Sequence, residues 1–234
     1  MSRDTRAGRR RLIAPILFGT IGAAILVSLG VWQLQRLTWK EGVLAEIAAR
    51  KDASPVPVPA APTEAAHEYL RVREEGRVAP EALHVLVSIQ RQGPGYRVIA
   101  PFTLDDGRRV LLDRGFLPQA EKDRPLPTGR LSVTGTLLWP DERDSFTPDP
   151  DLTGNVWFVR DAVAMAEVLQ TAPVMIVSDA PVPDGAPEPL PVTVAIPNNH
   201  LEYALTWFSL AIVWLAMTAY LVVRLRTKAQ PAEN

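Results

Sequence analysis

Pro197-Asn198-Asn199-His200-Leu201-Glu202 runs directly into residues 203–223, a stretch of 21 without one charged side chain. As a helix, that stretch is about 31 Å long at ~1.5 Å per residue, which matches a bilayer core of roughly 30 Å. His200, one of 3 histidines in the chain, therefore stands at the mouth of a predicted membrane helix. An imidazole placed there can ligate a cofactor dissolved in the membrane.

A second uncharged stretch, residues 12–35, lies between Arg11 and Arg36. A signal peptide also has a basic start and an apolar core. The length of this run, the lack of a clean A-x-A site behind it and its close in Trp32 and Arg36 favour an uncleaved transmembrane helix. Arg9-Arg10-Arg11 invites a twin-arginine reading, but positive-inside anchoring accounts for it more simply. The terminal segments 1–11 and 224–234 carry 8 basic and 2 acidic residues, against 17 and 24 in the rest of the chain. No Lys or Arg lies between Arg160 and Arg224. This bias predicts both termini on the cytoplasmic side and the central region on the opposite side, the periplasm of a bacterium.

Composition agrees with a membrane-anchored domain: 47% apolar and 22% charged residues, with a mean hydropathy of +0.03. The chain has no cysteine, which excludes disulfides, thiolate nucleophiles and iron–sulfur ligation. An acidic central region argues against nucleic acid, which wants a basic face.

Residues 33–50 read as a polar continuation of the first helix. Four prolines in residues 54–62 predict an extended linker. Strand-like runs follow at 69–78, 84–90, 97–104 and 108–113, the last two joined by Asp105-Asp106-Gly107 as a hairpin. Further strands are predicted at 131–139, 156–160, 174–177 and 192–196, with loops at 141–154 and 181–191. Asp161 reads as the N-cap of a helix to about Gln170 with apolar positions at 163, 165, 168 and 169. The predicted class is membrane α+β. Residues 1–11 and 224–234 form the tails, 12–35 and 203–223 the spans, and 36–202 a mainly β domain.

Four segments carry a family resemblance. They are Leu29-Gly30-Val31-Trp32-Gln33-Leu34-Gln35-Arg36-Leu37-Thr38-Trp39-Lys40, Gly95-Tyr96-Arg97-Val98-Ile99-Ala100-Pro101-Phe102, Val110-Leu111-Leu112-Asp113-Arg114-Gly115-Phe116-Leu117-Pro118, and Asn198-Asn199-His200-Leu201-Glu202-Tyr203-Ala204-Leu205-Thr206-Trp207-Phe208. In this order, between two such spans, the chain resembles the surfeit-locus-one family of cytochrome c oxidase assembly factors. Family members commonly show Asn-Arg-Gly-Trp where this chain has Asp113, Arg114, Gly115 and Phe116. The resemblance implies a helper in haem-copper oxidase assembly that supplies or stabilises haem a. It implies the oxidase catalytic subunit and haem a synthase as partners, and His200 as a haem-iron ligand.

Residue chemistry allows that role. Neutral imidazole is a standard haem ligand, and a macrocycle favours an apolar wall. On a helix starting near 199, His200, Tyr203, Ala204, Trp207, Ala211 and Trp214 share one stripe. Trp207 lies two turns below His200 and predicts a wall for a ring, Tyr203 a polar edge, and Ala204 and Ala211 the room for it. The plainer reading is an aromatic belt with a capping or headgroup-facing histidine.

His67 and His84 read as surface residues, and Asp105-Asp106 as a turn. Arg108-Arg109 or Arg71/Arg73 are candidates for haem propionates, or simply a solvated strand face. Gly19, Ala23 and Ser28 could pack against Ala204, Ala211 and Ala216.

No G-x-S-x-G, H-E-x-x-H, P-loop or G-x-G-x-x-G pattern occurs, so no catalytic turnover is expected. The alternative function is a membrane scaffold that holds oxidase intermediates without binding haem. The short N-terminus shows no mitochondrial transit pattern, and the expected location is a bacterial inner membrane.

Overall fold

The computed structural model describes residues 4–180, 185–193 and 197–227. In chain order the elements are α1 (Asp4–Asp52), α2 (Glu64–His67), β1 (Arg71–Val78), β2 (Leu83–Ile89), β3 (Gly93–Leu104) and β4 (Arg109–Pro118). A 3-10 turn at Gln119–Glu121 follows, then β5 (Gly129–Leu138), α3 (Ala162–Leu169), β6 (Ala172–Ser178) and α4 (His200–Thr227). As expected, two long apolar helices flank a sheet domain in the sequence, and α1 continues unbroken through its polar extension. Both are long and apolar enough to cross a membrane. The described chain divides into two compact units, a helix pair from residues before 46 and after 194, and a domain of residues 46–194.

In the domain the strand order is β1-β5-β6-β4-β3-β2, and β1 also pairs with β3. The 12 residues of β3 make this closure possible. One half pairs with β2 and the other, Phe102 to Leu104, pairs with Val78 to Gly76 of β1. Five strands thereby close on themselves, leaving few free edges. Among the described strands, β4 and β6 are the one parallel pair.

Alternation along β4 and β6 separates two cores. Val110, Leu112, Val174 and Ile176 join Val72, Phe102 and Leu137 in one cluster. Leu111, Met175 and Val177 face the other way, against Met165, Ala166 and Leu169 of α3 and against Trp157. Burial on both faces explains the near-continuous apolar runs of these strands.

The α3 start is as expected, since Asp161 Oδ1 accepts from Ala164 N at 2.9 Å. Its buried stripe differs, being Ala162, Met165, Ala166 and Leu169. Val163 and Val168 instead point outward, 61% and 50% exposed, because a 100° step per residue places them on the flanks. The linker at 54–62 is extended but pinned, with backbone bonds from Val56 N to Arg71 O and from Arg73 N to Val56 O. Val58 is buried in the core.

Residues 156–160 form no strand. Val156 and Trp157 make single bridges to Asp151 and Val85, since the loop touches β2 at one point only. Of the strand expected at 192–196, residues 192 and 193 carry none and 194–196 lie outside the described residues, as do 181–184 of the expected loop.

A buried ion network fixes the β3–β4 hairpin. The register slips between Arg97 and Ile99, and this bulge lets Arg97 Nη1 reach Asp113 Oδ2 at 2.5 Å. Asp113 is fully buried. Its other oxygen accepts from Gly115 N at 3.0 Å, and Arg160 Nη1 lies 3.8 Å away. Arg160 is also held by Glu142.

Gly115 has φ +107°, and a Cβ there would meet the backbone of Glu188. Its absence lets Phe116 N donate to Glu188 O at 2.6 Å, with the reverse bond at 2.9 Å. Arg114, only 2% exposed, donates to Pro127 O at 2.6 Å, and burial lowers its pKa.

Asp113→Ala leaves the Arg97 charge uncompensated, an effect of about 3–5 kcal/mol for a broken buried pair. A large fall in the domain's thermal midpoint, measured on the full chain in detergent, is the expected result. Burial pushes Glu142 up, but the hydrogen bonds and charge of Arg160 outweigh it and hold the carboxyl below its ordinary value. Its contribution is therefore present at neutral pH and lost as the medium falls through and below the ordinary carboxylate range. Melts between pH 7 and pH 3 should show part of this acid lability removed by Glu142→Gln.

Candidate functional site

The helix pair is built on a glycine face. Gly19, Gly22 and Gly30 of α1 meet Thr218, Trp214 and Phe208 of α4 so closely that a Cβ at any of them would overlap the partner side chain. Ala23, Ala204 and Ala211 are buried in the same seam, at 7%, 1% and 4% exposure. Trp214 Nε1 donates to Gly19 O at 3.0 Å, and its ring lies 5.2 Å from that of Phe18. In hydrocarbon no hydrophobic force draws helices together, so contacts of this kind carry the association. Ser28 and Ala216, expected in the seam, are exposed. Ser28 bonds to Ala24 O within its own helix.

The same seam ends at His200, the first residue of α4. Its Nδ1 lies 2.7 Å from Gln33 Oε1, and Gln33 is 9% exposed. Among the described residues nothing hydrogen-bonds Nε2. Asn199 O accepts from Tyr203 N at 3.2 Å, closing the first turn. Lys40 donates to Pro197 O, tying α1 to the segment before α4. Arg36 lies over the Trp39 ring at 4.1 Å.

Tyr203 and Trp207 differ in setting: Tyr203 is 57% exposed and Trp207 half-buried. The room expected at Ala204 and Ala211 is taken by α1. Tyr203 and Trp207 lie on the side of this stripe away from the buried Ala204 and Ala211. Sequence reasoning missed Gln33 as a site residue, although it lies within a quoted segment. Its signal is a polar side chain in an apolar run, spaced at threes and fours from Gly19, Gly22, Leu26 and Gly30.

Of the arginines considered for propionates, Arg71, Arg108 and Arg109 are engaged within the sheet domain, whereas Arg73 is exposed with no side-chain partner among the described residues. Arg108 pairs with Asp106 and donates to Val58 O at 3.0 Å. Arg109 donates to Leu169 O at 3.3 Å, and Arg71 pairs with Asp179 at 3.1 Å. Asp105 and Asp106 form the expected turn, and Asp105 pairs with Arg130.

His67 Nδ1 accepts from Thr63 N in a local turn. His84, expected at the surface, is half-buried against Tyr96, with 5.5 Å between ring centroids. Its Nδ1 contacts the Asn155 amide at 3.1 Å, and burial followed by the Lys122 charge lowers its pKa. Among the described residues no group of three or more His, Asp or Glu side chains is placed to hold a metal ion.

Comparison with known proteins bears on the same residues. A family model described as the SURF1 family matches residues 20–212, a span that includes Gln33, His200 and Trp207. Surfeit locus protein 1 of Xenopus tropicalis is 32% identical over 219 residues, 83% of this chain and 70% of that one. The protein of the same name from Homo sapiens is 31% identical over 218 residues, covering 82% and 71%. A SURF1-like protein of Drosophila melanogaster is 30% identical over 246 residues, covering 94% and 80%.

Helix pairing can be read chemically because the chain has no cysteine. A Cβ built at Gly19 lies 2.9 Å from Thr218 Cβ, near disulfide geometry once the backbones ease apart slightly. Gly19→Cys with Thr218→Cys should crosslink under mild oxidation. Adding Gly22→Leu, which drives a side chain into Trp214, should reduce that yield severalfold.

Proposed function

The chain belongs to the SURF1 family, and we propose that it acts in cytochrome c oxidase assembly by holding haem a for delivery to the catalytic subunit. The observation that carries this reading is the His200 ring held through Nδ1 by Gln33 at the end of the helix seam, with Nε2 unpartnered among the described residues. Bound there, haem would supply an iron centre that takes a nitrogen donor, which His200 could provide. The residues present fit that group. His200 offers an imidazole donor, Trp207 an apolar wall and Tyr203 a polar edge. Arg36, one turn beyond Gln33, has the charge and planar form that suit a carboxylate.

The location that fits this role is a bacterial inner membrane, with both termini cytoplasmic and the sheet domain in the periplasm. The basic termini and acidic central region support that orientation. Haem a synthase, as the source of the ligand, and the oxidase catalytic subunit, as its recipient, are the partners the reading requires. Membrane lipid surrounds the spans.

Detergent-purified protein from cells making haem A should carry a haem a spectrum that His200→Ala abolishes and Trp207→Ala weakens. Haem-free parent protein, with oxidase assembly intact in His200→Ala, would instead favour a scaffold. Topology is tested with Phe146→Cys, at a position 90% exposed in the domain. A membrane-impermeant maleimide should label it in spheroplasts and leave Thr227→Cys unlabelled until the cells are lysed.

A further inference from the structure

Two polar side chains meet where the glycine seam ends, and their hydrogen bond has a chemical consequence. Gln33 presents its carbonyl oxygen to His200 Nδ1 at 2.7 Å. A carbonyl oxygen only accepts, so the ring nitrogen facing it carries the hydrogen. A neutral imidazole has one N–H, and Nε2 therefore keeps its lone pair. We propose that Gln33 is a positioning residue that fixes neutral His200 as the Nδ1–H tautomer and presents Nε2 as the ring's free donor.

Three features make this arrangement specific. Free histidine in water favours the opposite tautomer, so an acceptor at Nδ1 is needed to reverse the preference. Gln33 is 9% exposed, so its carbonyl has little water to turn to and the bond to His200 matters more. Gly30, one turn below, packs against Phe208, which sets the helix spacing at the level where the bond forms. Metal-bound histidines usually give their second N–H to an acceptor in this way. The purpose of the device rests on the haem reading of His200, but its geometry does not.

The decisive measurement is the ¹⁵N spectrum of histidine-labelled full-length protein in detergent, at a pH where the ring is neutral, with His200→Ala identifying the signal. The parent should show a protonated Nδ1 and a bare Nε2. Gln33→Leu should return the ring to the Nε2–H form, and Gln33→Glu should restore Nδ1–H. With haem present, Gln33→Leu should weaken binding by about 10–100-fold. Gln33→Glu should bind and lower the reduction potential, because a carboxylate makes the imidazole a stronger donor.

The Gly19→Cys and Thr218→Cys crosslink checks that each variant keeps its helix pair. An Nε2–H tautomer in the parent, or no tautomer change in a correctly paired Gln33→Leu, would overturn the assignment. A parent with the Nδ1–H tautomer that binds no haem would uphold the assignment of Gln33 and overturn the haem reading.

Discussion

The close approach of α1 and α4 is the constraint from which the candidate site follows. Within a bilayer, apolar side chains gain nothing by leaving lipid for one another, so a pair placed there depends on packing distance and on the few polar groups in its seam. Glycines at 19, 22 and 30 let Thr218, Trp214 and Phe208 come against the α1 backbone. That distance lets the Trp214 indole reach Gly19 O and brings Gln33 within hydrogen-bond range of His200. A side chain at Gly30 would meet Phe208 and part the helices nearest that bond. The site is thus a by-product of helix packing, and its precision comes from rigid elements rather than from a loop.

The sheet domain solves a different problem. A small sheet with free edges invites pairing with other chains, and β3 is long enough to pair with β1 and close the ring. Closure gives the domain one core inside the ring and another beneath α3. The apolar interior leaves the buried carboxylate of Asp113 with a strong need for charge compensation, which Arg97 and Arg160 provide. The Asp113-Arg114-Gly115 segment therefore has a complete structural account. Its aspartate binds the hairpin, its arginine reaches Pro127, and its glycine admits the Glu188 backbone.

Much of this was legible in the sequence because it rests on local signals. Uncharged runs marked the two long helices, Asp-Asp-Gly marked the hairpin turn, and Asp161 marked the start of α3. What escaped depends on neighbours far along the chain. Residues 156–160 have strand-like composition but touch β2 at a single bridge. Val163 and Val168 fit a helical period yet face outward, because which stripe is buried depends on where the sheet lies. Small-residue patterns suggested that the helices pair, but not which small residues do the pairing. Gly22 and Gly30 make the α1 contacts expected of Ser28, and Trp214 and Phe208 meet them from α4 where Ala216 was expected. His200 stood out by composition, whereas Gln33 acquires its meaning only from a partner 167 positions away.

A neutral amide opposite His200, in place of a carboxylate, is itself informative. A carboxylate would draw the Nδ1 proton toward itself and strengthen Nε2 as a donor, favouring a tightly kept metal group. Gln33 orients the ring and fixes its tautomer with less electron donation and without a second charge in the seam, where ionised groups are costly. Among the described residues one imidazole is presented at the end of the seam. A group bound by this donor would be oriented firmly but held by a single bond of moderate strength. Under the proposed haem role, those properties would suit a ligand that has to leave intact.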